Sequence, residues 1–245
     1  MPRPTREQEK TRRLTREQKK ALTRRQLLQA AEEVFLRRGF HRAGLEEVAE
    51  EAGFTRGAVY SNFEGKDDLF LALLDERIER RMRQLDEATA GLETLEDLAR
   101  RDARRWMMQV GQEPEWRLLL MEFWTHAARD PRLRRELAAR HAHQVEAAAK
   151  VLEEAAAELS ETLVLPACHI ARAVIAMGRG VTLEWLVDPD GVPEELLETM
   201  LVLFFREAIA PVEVLSEDAS GRSVQRTEQL HEQRGGRKRK PSREE

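Results

Sequence analysis

Apolar residues recur at helical spacing along most of the chain, and glycines and prolines separate one periodic stretch from the next. Positions three and four residues apart lie on one face of a helix, so each stretch predicts an amphipathic helix. Valine, isoleucine, threonine and tyrosine are too sparse for a large sheet. The pattern therefore predicts an all-α protein without strands, whose roughly nine helices span about 23–38, 45–52, 56–62, 66–90, 95–110, 115–129, 131–160, 166–187 and 194–210.

The stretch from Leu45 to Phe63 carries the most specific pattern. Its apolar residues fall at i, i+3, i+4 and i+7, on one face of a short helix: Leu45, Val48, Ala49 and Ala52. Gly53 follows where the backbone must turn into a left-handed conformation, and Thr55 is placed to cap a second short helix. Two short helices joined by a glycine turn predict a helix-turn-helix, whose second helix enters the major groove of DNA.

Charge is distributed unevenly along the chain. Residues 1–66 carry 15 basic and 10 acidic side chains, residues 67–215 carry 18 and 29, and residues 216–245 carry 8 and 6. A basic amino-terminal part on an acidic body fits DNA contact at one end and repulsion from DNA elsewhere. Charge alone would equally fit a solvated basic tail.

Three segments resemble the amino-terminal domain of tetracycline-repressor-type (TetR family) regulators: AAEEVFLRRGF (30–40), LEEVAEEAGFTRGAVYSNF (45–63) and EGKDDLFLALL (64–74). The resemblance implies a three-helix helix-turn-helix DNA-binding domain followed by a larger helical domain for ligand binding and dimerisation. On this basis we expect the DNA-binding domain over 21–66 and the helical domain over 67–212. The polar composition of the two ends predicts a disordered basic arm over 1–20 and a disordered tail over 213–245.

The resemblance also implies which residues contact DNA: Thr55, Arg56, Gly57, Tyr60, Ser61, Asn62 and Lys66. Arg56 suits bidentate contact with guanine, and Asn62 suits phosphate or adenine. Thr55 and Tyr60 offer hydroxyls to phosphate, Gly57 permits close approach of the DNA backbone, and Lys66 corresponds to a phosphate clamp. Alternatively, Tyr60 belongs partly to the core, and Arg56 is merely solvated.

Two positions depart from the family pattern. Ala43 and Gly44 stand where the family often has a serine or threonine before the second helix, and Asn62 stands where it often has histidine. With the first change, that phosphate contact is either made by a backbone N–H or absent. Both changes leave the operator sequence open.

The carboxy-terminal region fits the sensing and pairing roles that the resemblance implies. A small, apolar ligand is expected among its aromatic and methionine side chains, in a pocket formed by Trp106, Val110, Trp116, Leu120, Met121, Trp124 and Met177. Arg105, Glu122 and Arg179 are candidates for a polar end of that ligand. Homodimerisation is expected through about 166–187 and 194–210, where small residues allow close helix packing. The alternative for both sets is an ordinary monomer core.

Other chemistries find little support in the sequence. His141 and His143 are two residues apart and face different sides of a helix, and Glu122 and His126 have no third ligand nearby, so no metal site is expected. The single cysteine, Cys168, suits a packing role, with redox sensing as the alternative. No phosphate-binding loop, nucleophile elbow or dinucleotide glycine pattern occurs, so neither an enzyme nor a cofactor is expected.

These observations predict a ligand-responsive transcriptional regulator. We expect a repressor that binds a palindromic operator of double-stranded DNA as a homodimer and is released by a small molecule. The chain has no apolar stretch of about 18 residues and no signal-peptide pattern, so a cytoplasmic location without membrane contact is expected. The alternative is an architectural or division factor of the same fold that binds DNA but no small ligand.

Overall fold

The computed structural model describes the backbone of residues 15–211 and the side chains of residues 15–209. The predicted arm up to residue 14 and the predicted tail from residue 213 lie outside this range. Nine helices lie within it: α1 (Arg16–Arg38), α2 (Leu45–Glu51), α3 (Arg56–Tyr60), α4 (Lys66–Glu87), α5 (Leu95–Gln112), α6 (Pro114–Arg129), α7 (Pro131–Leu159), α8 (Ala167–Val187) and α9 (Leu196–Ala208). The all-α prediction is therefore confirmed.

The first helix begins earlier than the sequence pattern indicated. The sequence pattern predicted a start at about residue 23, but a capping box forms at Thr15, whose hydroxyl accepts from the backbone N–H of Gln18 at 3.2 Å. The side chain of Gln18 accepts from the N–H of Thr15 in return, at 2.9 Å. The T-x-x-Q pattern occurs at both Thr15 and Thr23, and α1 begins at the first of them. Residues 16–20 of the predicted arm are therefore helical.

Two short strands form, although none was predicted. The β1 strand (Glu161–Leu163) follows α7, and the β2 strand (Ile209–Pro211) follows α9. They pair antiparallel, with Glu161 opposite Pro211. Ser160, in the left-handed conformation at φ 55°, turns the chain out of α7 and into β1. Strands of three residues are too short to show a period of two in the sequence.

The interior consists of two hydrophobic clusters. The first joins α1–α4 to α6 and the start of α7, and the second joins α5, α7, α8 and α9. The α4 helix belongs to both, because residues 69–74 are buried in the first while Met82 and Leu85 pack against the second. This helix therefore joins the two hydrophobic clusters.

Aromatic rings dominate the first cluster where the amino-terminal helices meet α6. Phe70 of α4 stacks on Phe123 of α6 with ring centroids 4.2 Å apart. Phe35 and Phe40 each meet Phe70 edge-on at 5.4 Å, and such offset and edge-to-face pairs add to the gain from burial. The helix-turn-helix is therefore packed firmly on the rest of the molecule.

None of the helices within residues 15–211 combines the length and the apolar character that crossing a membrane requires.

Candidate DNA-binding surface and ligand cavity

The helix-turn-helix forms as the sequence predicted. Gly53 takes φ +70° after α2, and the N–H of Phe54 donates to the carbonyl of Ala49 at 2.8 Å to close the turn. Thr55 caps α3, its hydroxyl accepting from the N–H of Ala58 at 3.3 Å. The side chain of Val59, on the inner face of α3, is fully buried. The opposite face of the short helix is therefore held towards solvent.

Arg56 has partners on this exposed face and is not merely solvated. Its guanidinium lies 3.0 Å from the carboxylate of Glu46 and donates to the hydroxyl of Tyr60 at 3.3 Å. It also lies over the ring of Tyr60, 5.4 Å from the centroid. Tyr60 itself is 47% exposed, so it belongs to the surface and not to the core. No sequence motif predicts the contact of Glu46 with Arg56, because only the packing of α2 against α3 brings the two side chains together.

The other predicted contact residues divide into exposed and engaged groups. Thr55, Gly57 and Ser61 are exposed. A Cβ added to Gly57 would meet no described atom closer than the hydroxyl oxygen of Thr55, at 3.8 Å. Packing within the described part of the chain therefore does not require glycine there.

Asn62 and Lys66 are engaged within the fold. The amide of Asn62 donates to the carbonyl of Ala58 at 2.8 Å and closes the end of α3. The ammonium of Lys66 donates to the carbonyls of His41 and Ala43, at 3.0 and 3.3 Å, in the turn between α1 and α2. An ammonium has three donors, so one remains for a further partner. Each side chain that was predicted to contact DNA here thus also forms hydrogen bonds within the fold.

A cavity of about 330 Å³ lies among α4, α5, α6, α7 and α8. Of the predicted pocket residues, five line it: Trp106, Trp116, Leu120, Met121 and Trp124. The other two lie elsewhere, since Val110 is fully buried in the second cluster and Met177 packs against that cluster. The aromatic and methionine stretch of residues 106–124 thus forms one wall because α5 and α6 meet at the cavity.

Trp106 is fixed in this wall by α8. Its indole N–H donates to the hydroxyl of Thr182 at 2.8 Å, and that hydroxyl donates to the carbonyl of Gly178 at 2.7 Å. A Cβ added to Gly178 would lie 2.9 Å from the indole ring. The glycine is therefore needed for the indole to lie against α8.

Replacing Gly178 with alanine should displace Trp106 and lower the free energy of unfolding by about 1–3 kcal/mol, the usual cost of overpacking. Chemical denaturation followed by circular dichroism would measure the change. Gly180→Ala is the matched control, because no described atom lies within 4 Å of a Cβ added there. Equal effects of the two substitutions would contradict this account of Gly178.

The cavity wall is strongly basic. Six arginines and one acid, Glu113, line it. Burial lowers the pKa of Arg179 to about 10. Burial also lowers the pKa of Arg117 to about 10, aided by the charges of Arg77 and Arg81 and opposed by that of Glu113. Both values remain well above 7, so both guanidiniums stay charged at neutral pH.

Of the candidates for a polar ligand contact, only Arg179 lines the cavity. Arg105 instead donates to the carbonyl of Gln84 at 2.7 Å. Arg117 was not among the candidates, although the sequence contains a signal for it. Arg117, Leu120, Met121 and Trp124 occupy positions i, i+3, i+4 and i+7 of α6, so the arginine shares the face of the pocket residues.

Glu122 connects α6 to the DNA-binding part instead of contacting the cavity. Its carboxylate accepts from the backbone N–H of Phe40 at 2.8 Å, in the turn after α1. One turn further along α6, the ring of His126 lies 3.2 Å from the carboxylate of Asp67 in the first turn of α4. The α6 helix thus lines the cavity and also contacts the turn after α1 and the start of α4.

The surfaces of α8 and α9 are apolar on two sides. Ile170, Leu197 and Phe205 pack inward in the second cluster. Leu183, Val187 and Leu203 are exposed, by 52%, 81% and 57%. The exposed set leaves an apolar surface on the two helices for which dimerisation was predicted. Cys168, expected to pack in the interior, is exposed at the start of α8.

Among residues 15–211, no group of three His, Cys, Asp or Glu side chains is placed to hold a metal ion.

Both parts of the chain match models of known families. Residues 27–73 match the model of bacterial regulatory proteins of the tetR family, and residues 96–209 match the carboxy-terminal model of BetI-type transcriptional repressors. The boundary between the matched regions falls within α4 and the loop that follows it. The family matches therefore cover the helix-turn-helix and the helices from α5 to α9.

Individual proteins show the same relationship. The transcriptional activator FasR of Mycolicibacterium smegmatis is 45% identical over 56 residues, 23% of this chain and 26% of FasR. The nicotine-responsive transcriptional repressor HdnoR of Paenarthrobacter nicotinovorans is 28% identical over 169 residues, 68% of this chain and 84% of HdnoR. The matched segment spans only about a quarter of the first curated relatives, so those similarities concern the DNA-binding part.

A solved TetR-family regulator from Mesorhizobium loti MAFF303099 shares the fold, with a TM-score of 0.64 at 20% identity. The match covers 80% of this chain and 100% of that structure. The relatives and the fold are those of transcriptional regulators, and the expectation that the chain is not an enzyme is confirmed. The sequence matches, the helix-turn-helix and the nine-helix architecture agree: the chain belongs to the TetR family of bacterial regulatory proteins.

Proposed function

We propose that the protein is a ligand-responsive repressor that binds a palindromic operator as a homodimer and is released when a small molecule enters the cavity. The proposal rests on one observation: α6 lines the cavity and also bonds, through Glu122, to Phe40 in the turn between α1 and α2. A DNA-binding factor without a ligand would not need that cavity. Since it acts on DNA in a bacterial regulatory family, we place it in the cytoplasm.

The proposed DNA contacts follow from exposure and charge. Arg56, held between Glu46 and Tyr60, is oriented on the outer face of α3 to bind guanine. Thr55 and Tyr60 present hydroxyls to phosphate, and Gly57 allows the DNA backbone to approach α3. Ser61 would bind phosphate by exchanging its bond to the carbonyl of Ala58. Lys66 would contact DNA through the donor that its two structural bonds leave free. Asn62 would have to exchange one of its bonds to Ala58 and Ser61 for a bond to DNA.

The proposed dimer uses the exposed apolar side chains of α8 and α9. Leu183, Val187 and Leu203 would be buried against the same residues of a second copy, in a two-fold interface. Such a dimer places two recognition helices on one side of the DNA, as half-sites about one helical turn apart require. The match to a BetI-type repressor model and the similarity to HdnoR favour repression, whereas FasR is an activator.

Ligand release would result from a population shift. A ligand that prefers one position of α6 would move the turn at Phe40 and the start of α4 with it, because Glu122 and His126 bond to them. The two recognition helices would then no longer fit both half-sites. Only a ligand with different affinities for the two states produces this effect.

Selection on random double-stranded DNA, followed by sequencing, tests the core of the proposal. We expect an enriched palindrome, whose affinity falls with salt at a log–log slope of roughly −0.9 per phosphate contacted. Native mass spectrometry of the complex would show two chains per site. A single enriched half-site, or binding without enrichment by a folded protein, would contradict the proposed dimeric operator.

Glu122→Ala should separate ligand binding from release. The substitution removes the bond to the N–H of Phe40 but lies outside the cavity lining. Ligand affinity should stay within about threefold, while the ligand-induced fall in operator affinity should shrink by about fivefold or more. Thr125→Ala is the control, because that hydroxyl bonds only to carbonyls of its own helix. An unchanged response in Glu122→Ala would refute this route.

A further inference from the structure

The cavity lining has far more positive than negative charge. Three of its arginines have acidic partners: Arg77 pairs with Glu32 and Glu113, Arg81 with Asp102, and Arg140 with Asp75. Of these acids only Glu113 lines the cavity, so the other carboxylates neutralise their arginines from outside its wall. A fourth, Arg80, is exposed to solvent. Arg117 and Arg179 remain to be explained.

Arg117 and Arg179 are partly buried without a carboxylate within 4 Å among residues 15–209. Arg179 lies over the ring of Trp124, 4.3 Å from its centroid, and donates to the side-chain oxygen of Gln144 at 3.3 Å. Arg117 lies 5.3 Å from the ring centroid of Trp106, and its Nε is buried with no hydrogen-bond partner in the described structure. Removing a charge from water without an ionic partner is costly.

Neighbouring groups relieve this cost only in part, since the charge of Glu113 opposes the lowering of the pKa of Arg117. His141, 3.4 Å from Arg179, has its pKa lowered by burial and by the charges of Arg179 and Arg172, so it is mainly neutral at pH 7. It can accept a hydrogen bond but supplies no negative charge. The two guanidiniums therefore produce a positive potential in a space whose other lining residues include indole rings, Leu120, Met121 and four glutamines. A cationic ligand would be repelled there.

We infer that the ligand is a small aromatic or aliphatic carboxylate, whose anionic end is held by Arg179 while its apolar body lies against the tryptophans. This rests on the proposed role of the cavity as the ligand site. Arg117 adds to the positive potential of the cavity. A guanidinium presents paired N–H donors that match a carboxylate, and such bonds are stronger than neutral ones. The cavity lies near the lower end of the usual range for ligand sites, about 300–1,000 Å³, which suits a compact ligand.

Isothermal titration calorimetry of the full chain tests the inference with three probes that share a naphthalene ring and differ in the charge of their substituent. The probes are 2-naphthoate, 2-naphthamide and 2-naphthylmethylamine, which are anionic, neutral and cationic at pH 7. We expect 2-naphthoate to bind at least about tenfold more tightly than the amide, as expected for one bond to a charged group. The amine should bind most weakly, because it would add a third positive charge to the site.

Two substitutions distinguish a specific contact from net charge. Arg179→Met keeps an unbranched apolar stem and should reduce the preference for carboxylate over amide to within about threefold. Arg140→Met is the matched control: it removes the same charge from the same cavity wall, but from an arginine that Asp75 already neutralises. It should preserve the preference. Thermal melting of both variants confirms that they are folded.

The inference is overturned if 2-naphthoate does not bind, if the amide or amine binds as tightly, or if both substitutions reduce the preference equally. Operator binding is measured separately on the same preparations. A protein that binds its operator but shows no preference for the carboxylate overturns only this inference. A protein that binds no operator, yet binds 2-naphthoate with the expected preference, contradicts the proposed function and leaves the chemistry of the cavity intact.

Discussion

Replacing Phe70 with alanine should lower the free energy of unfolding by about 3–5 kcal/mol, as for other buried phenylalanines. Phe70 is fully buried and contacts rings from three different parts of the chain: Phe35, Phe40, Trp116 and Phe123. No single neighbour can move to fill the cavity left behind, because each is itself buried. Chemical denaturation would measure the loss.

The effect should extend beyond stability. Phe70 packs the helices of the DNA-binding part onto α6, so its loss should also weaken operator binding at temperatures where the protein remains folded. Leu118→Ala is the matched control, since Leu118 is on α6 but 53% exposed; it should change the free energy of unfolding by less than about 0.5 kcal/mol. A cost for Phe70→Ala below about 1 kcal/mol would show that the aromatic cluster does not hold the two parts together.

Arg56→Ala should reduce discrimination among operator bases by about 1–3 kcal/mol, or roughly 5- to 150-fold, as for loss of one bidentate base contact. The physical reason is the position of the guanidinium on the exposed face of α3, fixed by Glu46 and Tyr60. Competition between the selected operator and single-base variants would measure it. The preference should be lost at one position of each half-site.

Tyr60→Phe is the comparison, because it removes a hydroxyl but keeps the ring beneath Arg56. We expect it to weaken binding to all sequences by a similar factor, through loss of a phosphate contact. Since Tyr60 also accepts from Arg56, the two substitutions should not be additive, and a double-mutant cycle would measure their coupling. If Tyr60→Phe shifts base preference as much as Arg56→Ala, the assignment of base and phosphate roles is wrong.

Lys66 shows how a tertiary contact changes a role inferred from the sequence alone. The family resemblance implies a phosphate clamp, but its ammonium bonds to the carbonyls of His41 and Ala43 and lies 4.9 Å from the ring centroid of Phe40. A substitution there would weaken both the turn and any phosphate contact. Lys66→Ala therefore cannot by itself test DNA binding, whereas the exposed residues of α3 can.

The sequence by itself determined the helices, the helix-turn-helix and the residues exposed on α3. These features depend on caps, glycine turns and apolar spacing within a few residues, which local patterns record directly. The same locality explains the one misplaced helix start: Thr15 and Thr23 carry the same capping pattern, and a local rule does not choose between them.

Only the tertiary structure decided which side chains meet across helices. It brings Glu46 to Arg56, ties Glu122 to Phe40, and excludes Val110 from a cavity that five other predicted residues line. It also leaves Arg117 and Arg179 without acidic partners while neutralising Arg77, Arg81 and Arg140. Pairing between residues tens of positions apart depends on how whole helices pack. Local sequence patterns therefore predict the fold, whereas the chemistry of the cavity depends on long-range contacts.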